Sequence, residues 1–228
     1  MSVFVIKGIN VFSIDDKIHS QIPIIAKSQK FLKFINSLDR VNLEITILKI
    51  YNVVWISNPV PEELVYVYIE LFATDKRTNK SVPGIIFLKG DKIAIYLRVI
   101  YKNKKYVVLT KQLRIPIGYD TLELPECTID VTKTVIGPII EEICIKSPNE
   151  NNLIPLGDFM SSSDICDEYI KLFYYEVEID EEKFNKIQSN IYQFGLIPEE
   201  EYEDILNMTK DPKVIIAHNF AKEKGLIM

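Results

Sequence analysis

The chain has 228 residues, 47% hydrophobic and 11% aromatic, enough to bury a substantial core and to exclude a disordered protein. Its 27 basic residues against 32 acidic ones leave a formal charge of −5, which argues against a nucleic-acid-binding surface. No window offers about 18 uninterrupted apolar residues, so no membrane span is expected. The opening MSVFVIKGIN lacks a basic stretch leading into a long apolar one, so no secretory signal is expected either. Cys127, Cys144 and Cys166 are odd in number and lack C-x-x-C spacing. They read as reduced intracellular thiols, and the cytoplasm is the expected compartment.

A short, irregular strand is expected within Val3 to Val11. The spacing then predicts a packing helix from about Pro23 to Leu38, with Ile24, Phe31, Phe34, Ile35 and Leu38 on one face. From Leu43 the period changes to two, and the strand runs on through Val53-Val54-Trp55-Ile56 until Asn58-Pro59-Val60-Pro61 breaks it. Leu64 to Ala73 is the next strand, followed by the polar turn Asp75 to Lys80. These elements predict a small antiparallel sheet, and Trp55 reads as a half-buried sheet aromatic. Residues 1–82 are accordingly expected to form an N-terminal subdomain, and residues 83–228 a second domain.

In the second domain, Ile93 to Tyr101 and Lys105 to Thr110 predict a hairpin of central strands, apolar enough to be covered on both faces. Leu153 to Phe159 and Tyr169 to Val177 are further strands, separated by a Ser161-Ser162-Ser163-Asp164 loop. The C-terminal part reads as helical. Acidic residues follow Pro198 in a first turn. Asp211-Pro212 supplies an N-cap and first position for a last helix ending before Gly225, with Val214, Ile215 and Phe220 as its apolar contacts.

Chemistry concentrates between Gln112 and Lys146, where the turn Arg114-Ile115-Pro116-Ile117-Gly118 precedes Leu122-Glu123-Leu124-Pro125, and a short helix expected to open at Pro138 would carry Glu141 and Glu142. A guanidinium suits a bidentate grip on phosphate, and Arg114 has a surface ion pair as its simpler role. Glu141 and Glu142 read equally as metal ligands or as a solvated acidic face. Glu123 reads as structural. His19 and His218 have no nucleophile partnered to them in the sequence, the serine run lacks a Gly-x-Ser-x-Gly surround, and eight glycines leave little room for a phosphate-binding loop.

Several pieces in order resemble the Nudix superfamily, in particular its branch of nucleoside-diphosphate-sugar pyrophosphatases. They are Val82-Pro83-Gly84-Ile85-Ile86-Phe87-Leu88-Lys89-Gly90, Gln112-Leu113-Arg114-Ile115-Pro116-Ile117-Gly118, Leu122-Glu123-Leu124-Pro125, Asp167-Glu168 before a strand, and Asp211-Pro212-Lys213-Val214 to Gly225-Leu226. The resemblance implies an α/β/α sandwich around a mixed sheet, preceded here by the small antiparallel subdomain, which in this branch helps to build a homodimer. It implies hydrolysis of a nucleoside-diphosphate sugar or ADP-ribose to a nucleoside monophosphate and a sugar phosphate. Arg114 would hold phosphate, Glu141 and Glu142 would hold Mg²⁺ or Mn²⁺, and Glu142 and Glu168 would act in catalysis. Glu126 stands where the family offers a main-chain carbonyl to the metal.

The family's catalytic box departs from its usual form. Cys127 replaces the opening Gly, and Glu126 stands where Ala is usual. In a gapped register Glu141-Glu142 aligns with the paired metal-binding Glu residues, Gly137-Pro138 replaces Arg-Glu, and the intervening segment is about four residues short. In an ungapped register Glu141-Glu142-Ile143 takes the Arg-Glu-apolar place, and Ile145-Lys146 falls on the metal pair. The first register continues the family's pattern and lets Pro138 open the helix. It still leaves adjacent carboxylates about 100° apart, a poorer chelate than residues three or four apart. Two functions follow: a pyrophosphohydrolase, weakened by these changes, or a catalytically inactive Nudix fold serving as a nucleotide-sugar sensor or interaction module.

Overall fold

The computed structural model describes residues 3–61, 64–82, 84–128, 152–190 and 194–227. Its chain divides into two compact units, Met1–Asp91 with Met160–Tyr169, and Lys92–Phe159 with Ile170–Met228. Each unit is built on its own mixed sheet.

The first unit opens with β1 (Phe4–Ile6) and β2 (Ile9–Ser13). They form a hairpin rather than the single strand expected, because Lys7 and Gly8 both adopt positive φ, the geometry of a tight two-residue turn. The helix expected from Pro23 to Leu38 is two helices, α1 (Asp16–Ile25) and α2 (Gln29–Ser37). Asp15 and Ser28 each cap a first turn through the side chain, and Ser28 starts a second helix where the periodicity suggested one. Pro23 sits inside α1 near its end, not at a helix start.

The strands β3 (Leu43–Trp55), β4 (Leu64–Asp75), β5 (Lys80–Val82) and β6 (Ile85–Leu88) complete the sheet in the order β1-β2-β3-β4-β5, with β6 also on β4. β3, β4, β5 and β6 pair antiparallel, while β2 runs parallel to β3. The alternation expected over Leu43, Ile45 and Ile47 does not run through β3: the register shifts between Ile45 and Ile47, so Ile45 packs only partly and Leu48 and Ile50 become the buried residues. With Val67, Ile69 and Leu71 of β4 they pack with Ile18, Ile22, Ile25, Phe31 and Ile35 of the two helices. Trp55 is half-buried against this core and donates its indole N–H to Gln21 Oε1 at 2.9 Å. The first unit continues past residue 82 to Asp91 and recovers residues 160–169 from later in the chain. The carboxylate of Asp167 pins that return by accepting from the N–H groups of Lys89 (2.7 Å) and Gly90 (3.1 Å).

The second unit is organised around β7 (Lys92–Tyr101) and β8 (Lys104–Arg114), joined by Lys102 and Asn103, both at positive φ. With β9 (Tyr119–Glu123), β10 (Glu126–Thr128), β11 (Ile154–Met160), β12 (Tyr169–Glu178) and β13 (Phe194–Pro198), the sheet order is β11-β12-β7-β8-β13, with β10 on β7 and β9 on β8. β12 runs parallel to β7, so the sheet is mixed.

Residues of β7 alternate between two cores. Ile93, Ile95, Leu97 and Val99 pack with Phe184 and Ile187 of α3 (Glu181–Ser189). Ala94 and Tyr96 pack with Tyr202 of α4 (Tyr202–Met208) and Val214, Ala217 and Ala221 of α5 (Pro212–Glu223). Helices therefore cover both faces, which is the α/β/α sandwich, and the near-continuous apolar run of β7 is its sequence trace. Asp211 caps α5 and Pro212 takes its first position, as expected. Ile215, expected as an apolar contact, is instead 38% exposed, and the inward face carries Val214, Ala217, His218 and Ala221.

Candidate functional site

The hairpin that follows β8 carries Arg114 as the last residue of one strand and Tyr119 as its cross-strand partner. The connection Ile115-Pro116-Ile117-Gly118 is closed by the N–H groups of Ile117 and Gly118 donating to the Arg114 carbonyl. Gly118 takes φ +77°, a conformation that a side chain would strain. This local geometry returns β9 alongside β8 and brings Glu123 back beneath Arg114.

Arg114 Nε donates to Glu123 Oε1 at 2.6 Å and its Nη2 donates to Glu123 Oε2, a two-pronged grip on one carboxylate. Thr121 Oγ1 donates to the same Oε1 at 2.6 Å. Burial by itself would push Glu123 up, but these hydrogen bonds, with Lys213 close by, hold it at about 2. The Glu123 side chain is 6% exposed and that of Arg114 40% exposed. The carboxylate is therefore structural, as expected, and it fixes the orientation of a guanidinium that reaches solvent.

Directly after the two-residue step Leu124-Pro125, β10 starts at Glu126, diagonally across the ladder from Lys92. Lys92 Nζ donates to Glu126 Oε1 at 2.7 Å, and Lys213 Nζ lies 2.9 Å from Glu126 Oε2. Arg114 Nη2 is 3.6 Å from Glu126 Oε1. Burial pushes the Glu126 carboxyl up, but the ammonium groups of Lys213 and Lys92 outweigh it and the net shift is downward. Lys213, from the first turn of α5, also lies 3.6 Å from Glu123 Oε2 and 3.5 Å from Asp211 Oδ2. Arg114, Lys92 and Lys213 thus interleave with Glu123, Glu126 and Asp211. Sequence reasoning found Arg114 and Glu126 but missed Lys92 and Lys213 as members of the cluster.

A cleft of about 150 Å³ opens between β9 and the end of α4, with Tyr119, Thr121, Ile205, Met208 and Lys210 in its lining. The thiol of Cys127, half-buried beside Glu126, is pushed up by burial and by that carboxylate, which disfavours the thiolate a nucleophile needs.

Glu168 belongs to the first unit, where it accepts a hydrogen bond from Ser161 Oγ at 3.0 Å. Glu141 and Glu142, with the helix expected to begin at Pro138, lie outside the described residues. Among the described residues, no group of three or more His, Cys, Asp or Glu side chains is placed to hold a metal ion. Glu126, the described candidate, has its carboxylate taken by two ammonium groups. The described side chains therefore do not fit a resident divalent cation.

The chain is 30% identical over 179 residues to Nudix hydrolase 14, chloroplastic, of Arabidopsis thaliana, an alignment that covers 67% of this chain. That likeness supports the Nudix superfamily. The alignment spans 57% of the Nudix relative's own length. No family model matches the chain. Among solved structures, a mutT/nudix family protein from Listeria innocua is 19% identical with a TM-score of 0.43, covering 61% of this chain and 98% of that one. An ADP compounds hydrolase is 12% identical with a TM-score of 0.48, covering 81% and 99%. Among the described residues, no helix is long and apolar enough to cross a membrane.

Proposed function

We propose that the chain is a Nudix-type pyrophosphohydrolase that cuts a nucleoside-diphosphate sugar or ADP-ribose into a nucleoside monophosphate and a sugar phosphate. The observation that carries this reading is the posture of Arg114. Glu123 grips one edge of its guanidinium, while 40% of the side chain remains open at the hairpin. A guanidinium oriented before a ligand arrives loses little freedom on binding, and its planar donors match a pyrophosphate. The relative named a Nudix hydrolase agrees with that chemistry. In this reading Arg114 receives phosphate, and Lys92, partly open beside it, adds positive charge to the same face.

Glu142 and Glu168 are the proposed catalytic carboxylates. Glu141 and Glu142, with the main-chain carbonyl of Glu126, are the proposed ligands of a Mg²⁺ or Mn²⁺ ion that would neutralise the pyrophosphate. The N-terminal subdomain is proposed to build a homodimer, which light scattering after size-exclusion chromatography tests directly. The cytoplasm is the proposed compartment.

One observation favours the second reading, an inactive nucleotide-sugar sensor or interaction module: the Glu126 carboxylate is already neutralised from within the chain. Turnover of a panel of ADP- and UDP-sugars with Mg²⁺ or Mn²⁺ separates the two. Metal-dependent release of nucleoside monophosphate, lost in Glu142→Gln, is the expected result. Retained nucleotide binding without turnover on any member of the panel would establish the sensor.

A further inference from the structure

Lys213 stands in an electrostatically unfavourable place for a lysine. It follows Pro212 in the first turn of α5, where the N–H groups unpaired within the helix make the helix end partly positive and disfavour a cation. Its side chain is nevertheless 13% exposed, and its ammonium meets carboxylates from three separate elements. Glu126 of β10 is at 2.9 Å, Asp211 at the helix cap at 3.5 Å and Glu123 of β9 at 3.6 Å. Asp211 faces two ways, since its Oδ1 accepts from the Lys213 N–H at 3.0 Å while its Oδ2 faces the ammonium. Arg114 and Lys92 meet Glu123 and Glu126 from the other side. Without the Lys213 charge, three buried or nearly buried carboxylates would face two cations, an uncompensated negative centre of the kind that recruits a metal ion.

We propose that the Lys213 ammonium is the resident cation of this three-carboxylate pocket and excludes a divalent ion from it. The side chains of Glu123, Glu126 and Asp211 are then committed to holding α5 against β9 and β10. Any divalent ion that the chain uses is held by other groups. This inference concerns the pocket alone and stands whether or not the chain hydrolyses a pyrophosphate.

The test counts Mn²⁺ bound to the full chain by electron paramagnetic resonance, with circular dichroism as the check on folding. Lys213→Met keeps the apolar stem and removes the charge. It is expected to bind one Mn²⁺ more than the unaltered protein, and adding Glu126→Gln is expected to abolish the gain. Lys213→Arg keeps a cation and is expected to match the unaltered protein. Glu126→Gln alone is expected to leave Mn²⁺ stoichiometry unchanged. A folded Lys213→Met that gains no Mn²⁺ overturns the proposal, and so does a loss of Mn²⁺ from Glu126→Gln alone. Should Lys213→Met not fold, the Glu126→Gln measurement decides by itself. None of these outcomes depends on turnover, so failure here and failure of the hydrolase reading are read separately.

Discussion

Arg98 on β7 and Arg114 on β8 are both held by carboxylates within one unit, yet their surroundings differ. The Arg98 side chain is 5% exposed. Its Nη1 donates to Tyr174 Oη (3.1 Å), Glu176 Oε2 (2.9 Å) and the Leu226 carbonyl (3.0 Å), and its Nη2 donates to both oxygens of Glu199 (2.5 and 2.6 Å). These partners come from β12, the C-terminal tail and the 3₁₀ turn Glu199–Glu201, so one guanidinium ties together three distant parts of the chain. Arg114 has one bidentate partner nine positions along its own hairpin, and its side chain is 40% exposed. A sealed guanidinium acts as a fastener. An oriented and partly open one can still meet a ligand.

That contrast predicts the largest effect at Arg98. Arg98→Leu leaves Glu199 and Glu176 without their cation, and since these carboxylates stay 27% and 37% exposed the expected cost is about 3 kcal/mol, the low end for breaking a buried pair. Urea unfolding should show it as a lower midpoint, and an effect under about 1 kcal/mol would mean that the cluster is not the fastener described.

At Glu123 the expected loss is smaller, about 1–3 kcal/mol for Glu123→Gln at neutral pH, since one charge-assisted grip is replaced by a neutral amide. The acid limb should change as well. Glu123 is held at about 2 against an ordinary 4.5, so its stabilisation is present above pH 4.5 and is lost as pH falls toward about 2. Glu123→Gln should therefore unfold with a shallower pH dependence in that window.

Arg114→Lys should separate stability from binding. The hairpin is expected to lose under about 1 kcal/mol, because the pair is partly open to solvent. A single ammonium cannot reproduce the two-pronged donor, so kcat/KM for the best nucleotide sugar should fall by at least about tenfold, or about 1.4 kcal/mol. Equal losses in melting temperature and activity would place Arg114 with Arg98 as a fastener.

The smallest effect is expected at His218, buried against Tyr96 and Tyr202. Burial lowers its folded pKa below the ordinary 6.5, so the unfolded chain takes up a proton first. Stability should sag slightly as pH drops below about 6.5, and His218→Phe should flatten that part of the pH–stability curve. An unchanged curve would show that the imidazole contributes no pH dependence there.

Much of the architecture could be read along the chain. The alternation from Leu43 marked β3, and the continuous apolar run of β7 announced a strand covered on both faces. Asp211-Pro212 marked the start of α5, because capping is a contact between near neighbours. Errors fell where a local signal was short or double. Lys7-Gly8 folds β1 onto β2 through two left-handed residues, a turn that the apolar residues around it masked. Ser28 splits a run with one apparent period into two helices. The helix α3 was overlooked, although Asp180 followed by Glu181 and Glu182 is a cap with an acidic first turn.

For the cluster, the sequence by itself determined the residue types: a guanidinium before a Gly turn, a Glu on either side of Leu124-Pro125, and a lysine in a helix's first turn. It could not say that Lys213 reaches Glu126 across 87 positions, or that Lys92 reaches it across 34, because neither contact leaves a period or a motif behind. Those meetings depend on the β7–β10 register and on where α5 docks, and both are set by apolar packing in cores that are not local in sequence. Periodicity and capping arise between neighbours a few bonds apart. The charge balance around Glu126 arises only once the sheet has closed and water has left it.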